Sequence, residues 1–524
     1  RLLRPERRRN CGKGDGAVGM KQNYIIGIDQ STQGTKAMLF DGNGILLCRA
    51  DKSHAQLVDE RGWVEHNPEE IYQNTLLVVK ELMKKSGVDT SAVACVGISN
   101  QRETAMAWNR STGKPVYNAI VWQCARGEEI CKRITRLNPG AGEEVRRRTG
   151  LRLSPYFSAA KLAWILEHVK EAASLAARGE LCCGTMDSYL VYRLTKGREF
   201  RTDYSNASRT QLFHIRELAW DETLCGIFGI PSACLPDVTD SDGFFGMTDF
   251  EGILPGEVPI HGVMGDSHGA LFGQGCLSKG MMKTTYGTGS SIMMNIGEMP
   301  IFSDLGIVTS LAWKTGGRVQ YVLEGNINYT GAVITWLKDQ LGLLASAGES
   351  EELAKRANPA DHTYLVPAFS GLGAPYWRSD VSAAFISMSR TTGRAELVKA
   401  GLCSIAYQIA DIVELMKEAS GIHEVELRVD GGPTKNSFLM QFQSDILNSR
   451  IRVPEVEELS GLGAAYAAGL GAGIYDESLF GNLRSREYLP AMGPEEREEK
   501  LKGWTAAVKM VLASGEGDQS CWRS

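Results

Sequence analysis

Two β-hairpins of the same make start at Gly27 and at Met282, about 255 residues apart, and the pair limits the folds open to this chain. The first begins in the apolar, β-branched run YIIGID at 24–29, crosses a small polar turn, and resumes as KAMLFD at 36–41. Asp41-Gly42-Asn43-Gly44 then supplies a second turn, with room for a third antiparallel strand at 45–48. The second hairpin runs from 282–286 through Gly287-Thr288-Gly289-Ser290 into 292–296. Repetition of one unit at that distance predicts two similar halves that present their tight turns to a shared cleft. A third glycine turn, Asp430-Gly431-Gly432-Pro433, follows a strand-like run at 425–429 and precedes a helix-like run at 437–447.

The stretches between these turns read as α/β. Asn67 predicts an N-cap, with Pro68 in the first helical position, Glu69 and Glu70 at the positive end, and apolar residues spaced for one face up to Gly87. Residues 93–99 read as a buried strand that runs straight into Asn100-Gln101-Arg102-Glu103. Charge is thereby delivered at a strand's end, where ligands collect in open α/β sheets. No long Pro/Ser linker occurs, so the domain boundary is tight and is placed near 273–278. The expected division is an appendage at 1–20, an N-terminal domain at 21–274, a C-terminal domain at 275–485 and a tail at 486–524.

At 524 residues and 43% hydrophobic content, the chain can bury cores for roughly two to four domains. The formal charge of -5 gives no wholesale electrostatic case for nucleic acid or an anionic membrane as partner. No apolar run approaches the ~18 residues that cross a bilayer. The 12 cysteines are scattered, without C-x-x-C spacing or a disulfide framework, which points to a reducing cytoplasm. The basic stretch 1–19 reads as an upstream or disordered appendage, with a targeting arm as the alternative.

The turn from Asp29 to Lys36 combines Ser31, Thr32, Gln33, Gly34 and Thr35, so hydroxyls, unshielded amides and a lysine lie together. Those are the donors that phosphate oxygens require. It is no Walker A loop, and no useful G-x-G-x-x-G follows a strand. Taken singly, this turn and the one at Thr288 and Gly289 are ordinary hairpins; together with Gly431-Gly432 they favour nucleotide binding. Asp266, in Gly265-Asp266-Ser267-His268-Gly269 between a strand-like and a helix-like segment, reads either as a helix cap or as a base for a substrate hydroxyl. An alcohol is too weak an acid to ionise beforehand, so such a base acts as oxygen bonds to phosphorus, contributing on the order of 10² to 10⁴ in rate. His268 is a second nominee as base, set against a structural role. Arg102 and Glu103 suit adjacent hydroxyls of a polyol, because guanidinium donates and carboxylate accepts, or else form a surface ion pair. Trp122 and Tyr156 offer flat apolar surface to the C–H face of such a substrate, or pack in a core.

Long strings join these pieces. Asn100-Gln101-Arg102-Glu103-Thr104, NAIVWQC at 118–124, TDYSNASRT at 202–210, TYGTG at 285–289 and GLGAPYW at 371–377 resemble the FGGY carbohydrate kinases, and within that family the glycerol kinase branch. YFSAAKLAWILEH at 156–168 also satisfies the first FGGY signature. The resemblance covers the chain from Tyr24 to about Tyr475. It implies an α/β, two-domain actin/hexokinase-like (ribonuclease H-like) ATPase fold with an interdomain cleft, ATP bound mainly by the second domain and substrate by the first. By the same resemblance Asp266 is the catalytic base, and Asp29 with Asp266 serves a Mg²⁺ ion near the terminal phosphate. Thr32, Gln33, Gly34 and Lys36 form the first phosphate turn, with Lys36 where the branch usually has arginine. Thr288, Gly289, Gly331, Thr335, Gly432 and Asn436 fall on nucleotide positions, and Arg102, Glu103, Trp122, Tyr156, Ser267 and Ser291 on polyol positions.

Several positions depart from the pattern. Ser267 stands where Gln follows the catalytic Asp, and Ser291 where the branch has Phe. Both replace a large wall by a small hydroxyl, which raises a four- or five-carbon polyol or ketose as an alternative to glycerol. Thr335 replaces a Gln near the adenine site, and Ser387, Gly401 and Cys403 degrade the second FGGY signature. Residues 244–258 hold no Lys or Arg, so the feedback site for a sugar bisphosphate, implied for some bacterial members, is expected to be missing. The expectation is ATP- and Mg²⁺-dependent phosphorylation of a small polyol, glycerol first. A non-catalytic sensor or chaperone-like ATPase on the same fold would lack Asp266 and the Arg102-Glu103 pair, or carry an added binding domain. A homodimer or a homotetramer is left open.

Overall fold

The computed structural model describes residues 23–516, and the basic stretch expected as an appendage lies outside them. Both hairpins form. β1 (Tyr24–Gln30) pairs antiparallel with β2 (Gly34–Phe40), and β3 (Leu46–Ser53) adds beyond β2. β4 (Val93–Asn100) runs parallel to β1 on its other side. β5 (Gly246–Thr248) and β6 (Val258–Gly265) complete the sheet, with β6 parallel to β4, in the order β5-β6-β4-β1-β2-β3.

The second hairpin starts a sheet of the same plan. β7 (Met281–Tyr286) turns back into β8 (Ser290–Gly297), and β9 (Val308–Thr315) and β10 (Arg318–Ile327) extend the sheet beyond β8. β11 (Glu426–Asp430) runs parallel to β7, and β12 (Ile451–Pro454) and β13 (Ser485–Tyr488) follow, in the order β9-β10-β8-β7-β11-β12-β13. In each sheet the strand before the polar turn has an antiparallel partner on one side and a parallel one on the other. That shared plan is what the two hairpins predict.

β1 is buried along nearly its whole length, which requires cover on both faces. One face takes α1 (Pro68–Ser86), capped by the Asn67 side chain and ended by Gly87 at φ 66°, as its sequence predicts; Ile71, Val78, Val79 and Leu82 pack there with Ile26 and Ile28. The core of the second half is built around α4 (Arg394–Ser420) and α5 (Ser437–Leu447), which come after α2 (Asp266–Gly273) and α3 (Gly331–Asp339).

The other face of the first sheet is covered from far along the chain, by α6 (Leu459–Gly471). The approach is backbone to backbone. A Cβ added at Gly97 would lie 2.1 Å from the Ala464 carbonyl oxygen, one at Gly262 2.4 Å from the same atom, and one at Gly463 1.9 Å from the Gly269 oxygen. Glycine alone permits this packing of α6 against β4, β6 and α2. The expected tail also docks on the second half: α7 (Pro494–Glu516) puts Trp504 into the second core, with its indole N–H donating to Asp411 at 2.9 Å. Among the described residues no helix is long and apolar enough to cross a membrane.

Candidate active site

Three parallel strands end level with one another. Gln30 of β1 lies opposite Asn100 of β4, and Asn100 opposite Gly265 of β6. Asp29 and Asp266 therefore flank the end of β4 from its two sides, one strand spacing of ~4.8 Å away on each. The Ser99 hydroxyl donates to the Asp29 carboxylate at 3.0 Å. Burial, and next the charge of Asp266, push the Asp29 carboxyl up to about 6. Asp266 opens α2, but the N-cap is Gly265; Asp266 Oδ1 accepts from its neighbour Ser267 N–H at 2.6 Å, and the side chain stays 34% exposed. The strand end itself is pinned by TDYSNASRT, since Gly265 N–H donates to Ser205 Oγ at 2.9 Å and Ser205 Oγ donates to Asp203 at 3.0 Å. His268 is sealed in α2 near Ser310, and burial, then Arg102, hold its ring well below the ordinary histidine range. A neutral, enclosed ring has a structural role.

Arg102 and Glu103 do not form a surface ion pair. Both are buried, and Glu103 takes φ 56°, a left-handed conformation unusual for its type that turns the two side chains to different partners. Arg102 donates twice to Glu324, at 2.9 and 3.0 Å, and its Nε lies 3.2 Å from Asp266 Oδ1. Glu103 accepts from Arg209 at 2.5 Å. The rings of Trp122 and Tyr156 meet edge to face with centroids 5.6 Å apart. Lys161, from the first FGGY signature, lies buried and donates to the carbonyls of Pro155, Tyr156 and Phe157, which fixes the backbone that carries Tyr156. The Trp122 indole N–H donates to Thr32 Oγ1 at 3.0 Å, so the aromatic wall and the first phosphate turn are tied together. In that turn Gln33 is exposed, Thr32 and Gly34 are half-buried, and Lys36 donates to Glu458 at 2.7 Å.

The second turn is stitched to α3. Gly331 N–H donates to the Gly287 carbonyl at 2.9 Å and Ala332 N–H to that of Thr288 at 3.1 Å, which leaves Gly289 at the bend. Gly431 packs on Tyr286 at φ 101°, where a Cβ would meet the Tyr286 oxygen at 2.0 Å. Beside these glycines opens a cavity of about 460 Å³ lined by Gly331, Thr335, Ser350, Leu402, Gly432 and Asn436, a volume in the range of small-molecule sites. Four of the expected nucleotide residues thus share one pocket, and the Thr288 carbonyl is hydrogen-bonded to Ala332, next to the lining residue Gly331. Ser291, half-buried, donates to Glu324 at 3.2 Å. Nothing in the sequence assigns a role to Glu324 or Arg209: Arg209 stands within TDYSNASRT, while Glu324 lies in an ordinary strand with no local signal at all.

Family models for the N-terminal and C-terminal domains of the FGGY family of carbohydrate kinases match residues 24–273 and 282–472. The chain belongs to this family. It is 48% identical over 492 residues to glycerol kinase 1 of Thermotoga maritima, covering 93% of this chain and 99% of that protein. Among solved structures, Plasmodium falciparum glycerol kinase with ADP superposes with a TM-score of 0.88 at 36% identity, covering 94% of this chain and 98% of that one. The xylulose kinase of Lactobacillus acidophilus shares the fold, with a TM-score of 0.82 at 21% identity over 94% of this chain and 98% of that one. The two sheets described above are therefore the two-domain FGGY kinase fold, and the chain is an ATP-dependent carbohydrate or polyol kinase.

Proposed function

We propose that this FGGY kinase transfers the terminal phosphoryl group of ATP to a hydroxyl of glycerol, giving glycerol 3-phosphate and ADP. The observation that carries the reading is the placement of Asp266: a partly exposed carboxylate at a strand end, beside the Arg102 guanidinium and across β4 from Asp29. Asp266 takes the acceptor proton as oxygen bonds to the terminal phosphorus and the bond from that phosphorus to the ADP oxygen breaks. Arg102 and Glu103 bind neighbouring hydroxyls, and Trp122 and Tyr156 cover the C–H face. Thr32, Gln33, Gly34 and Lys36 on one side, with Thr288 and Gly289 on the other, bind phosphate oxygens. Lys36 must then exchange Glu458 for phosphate, a short swing for a side chain that is 37% exposed. Gly331, Thr335, Gly432 and Asn436 receive the base and ribose.

Asp29 and Asp266 fit a Mg²⁺ ion. Among the described residues no cluster of three or more His, Cys, Asp or Glu could hold a metal by itself. Mg²⁺ needs none, since it is commonly bound through one or two carboxylates together with waters and substrate phosphates. Burial, and next the charge of Asp266, raise the Asp29 carboxyl, while the Ser99 hydroxyl and Lys36 oppose the rise. Bound there, the ion would neutralise phosphate charge during transfer. The ten cysteines described are unpaired, in keeping with a reducing cytoplasm.

A second reading, a tetritol, pentitol or ketopentose as acceptor, draws on Ser267, a small half-exposed residue where the glycerol kinase pattern has Gln. A coupled ADP-release screen over glycerol, dihydroxyacetone, tetritols, pentitols and ketopentoses decides between them. The highest kcat/KM on glycerol is the expected result; a preference for a longer acceptor supports the second reading, and ADP release indifferent to every acceptor overturns both.

A further inference from the structure

Glu324 belongs to β10 of the second sheet and to no glycine turn, yet its carboxylate is where the acceptor side converges. It is fully buried. Arg102 Nη2 donates to Oε1 at 2.9 Å and Nη1 to Oε2 at 3.0 Å, a two-point pairing that fixes the rotation of the guanidinium as well as its position. Arg209 Nη1 lies 2.8 Å from Oε2, and Ser291, on the strand that leaves the second phosphate turn, donates to Oε1. Burial alone would raise the Glu324 carboxyl, but Arg102 and Arg209 hold it well below the usual range.

We propose that Glu324 is a positioning residue for the acceptor, reaching from the nucleotide-side half to hold Arg102 directly and Glu103 through Arg209. The inference rests on the cleft being a glycerol-phosphorylating site. Two buried guanidiniums this close repel each other and stay only because carboxylates lie between them. Glu103 and Glu324 balance the two arginines, so the Asp266 carboxylate, though 3.2 Å from Arg102 Nε, stays 34% exposed toward the acceptor proton. Without Glu324, the Arg102 fork would turn to the carboxylate already 3.2 Å from its Nε, that of Asp266, and close the space where base and acceptor meet. Because Arg102 belongs to the first half and Glu324 to the second, the acceptor site is complete only while the halves are in contact.

The test compares wild-type enzyme with Glu324→Gln and Glu324→Asp, varying glycerol and ATP separately and recording thermal unfolding with and without each ligand. KM for glycerol is expected to rise about tenfold or more in Glu324→Gln, with KM for ATP within about twofold of wild type. Glycerol should no longer raise the unfolding midpoint of this variant, while ATP still does. Glu324→Asp keeps the charge and should recover part of the glycerol affinity; it carries the test if the Gln variant does not fold. An unchanged KM for glycerol, or the two KM values rising together, overturns the proposal. A wild-type enzyme without turnover on glycerol removes instead the reading of the site.

Discussion

Replacing Gly97 by alanine tests how closely the catalytic strand ends depend on α6. The added Cβ would lie 2.1 Å from the Ala464 carbonyl oxygen and 2.4 Å from its carbon, whereas ordinary contact begins at 3.4 Å. One side must therefore yield by about 1.3 Å, and the obstructing atoms are helix backbone that cannot swing away as a side chain would. Overpacking of this kind costs about 1–3 kcal/mol. Gly97 lies two residues before Ser99, the donor to Asp29, so the displacement reaches the strand end directly. A shift of about 1 Å at reacting groups lowers turnover by roughly 10²-fold. Steady-state kcat and calorimetric unfolding should fall together, the midpoint by a few degrees. The matched control is Gly226→Ala in the helix Glu222–Phe228, where the new Cβ would meet nothing within 4 Å beyond its own helix backbone and chain neighbours. That variant should keep wild-type kcat and gain about 0.5–1 kcal/mol. Wild-type kcat and midpoint in Gly97→Ala would refute the coupling.

Trp122→Phe keeps a flat ring but removes the N–H that Thr32 accepts, so KM for ATP should rise about three- to tenfold in steady-state kinetics. Burial pushes the Asp187 carboxyl up to about 7 from 3.8, despite hydroxyl donors on Thr185 and Thr202. The folded state therefore holds this proton more tightly than the unfolded one: the group's contribution to stability is whole below pH 3.8 and is lost as pH rises through about 7. Asp187→Asn should be more stable than wild type to thermal unfolding at pH 8 and lose that advantage near pH 4. Fructose 1,6-bisphosphate at low millimolar concentration should not inhibit, because the segment 244–258 has no cation and the neighbouring Lys196 and Arg198 are already paired with Asp249 and Glu257.

The strands were legible because their residues speak locally: β-branched runs, turn glycines and the Asn67 cap each specify backbone conformation within a few positions. The level ends of β1, β4 and β6 were legible as a tendency only, since register depends on pairings across about 240 residues, from Asp29 to Asp266. Glu324 was illegible for the same reason: nothing near it in sequence signals that two arginines from the other half close on it. The burial of Arg102 and Glu103 was equally hidden, because an isolated Arg-Glu dipeptide looks like solvent-exposed charge until Glu324 and Arg209 are brought to it. Ser291 shows the limit of reading one substitution alone. Its hydroxyl serves Glu324, so a position that suggests an emptied wall in sequence is a hydrogen-bonded one in the fold.

The central claim is that the carboxylate of Asp266 receives the acceptor proton. Asp266→Asn keeps the side chain's size and removes its basicity, and single-turnover phosphoryl transfer to glycerol, measured alongside ATP binding by calorimetry, separates chemistry from affinity. The rate is expected to fall by about 10²–10⁴ with ATP affinity nearly unchanged. Transfer within a few-fold of wild type would contradict the account and place the base on another residue.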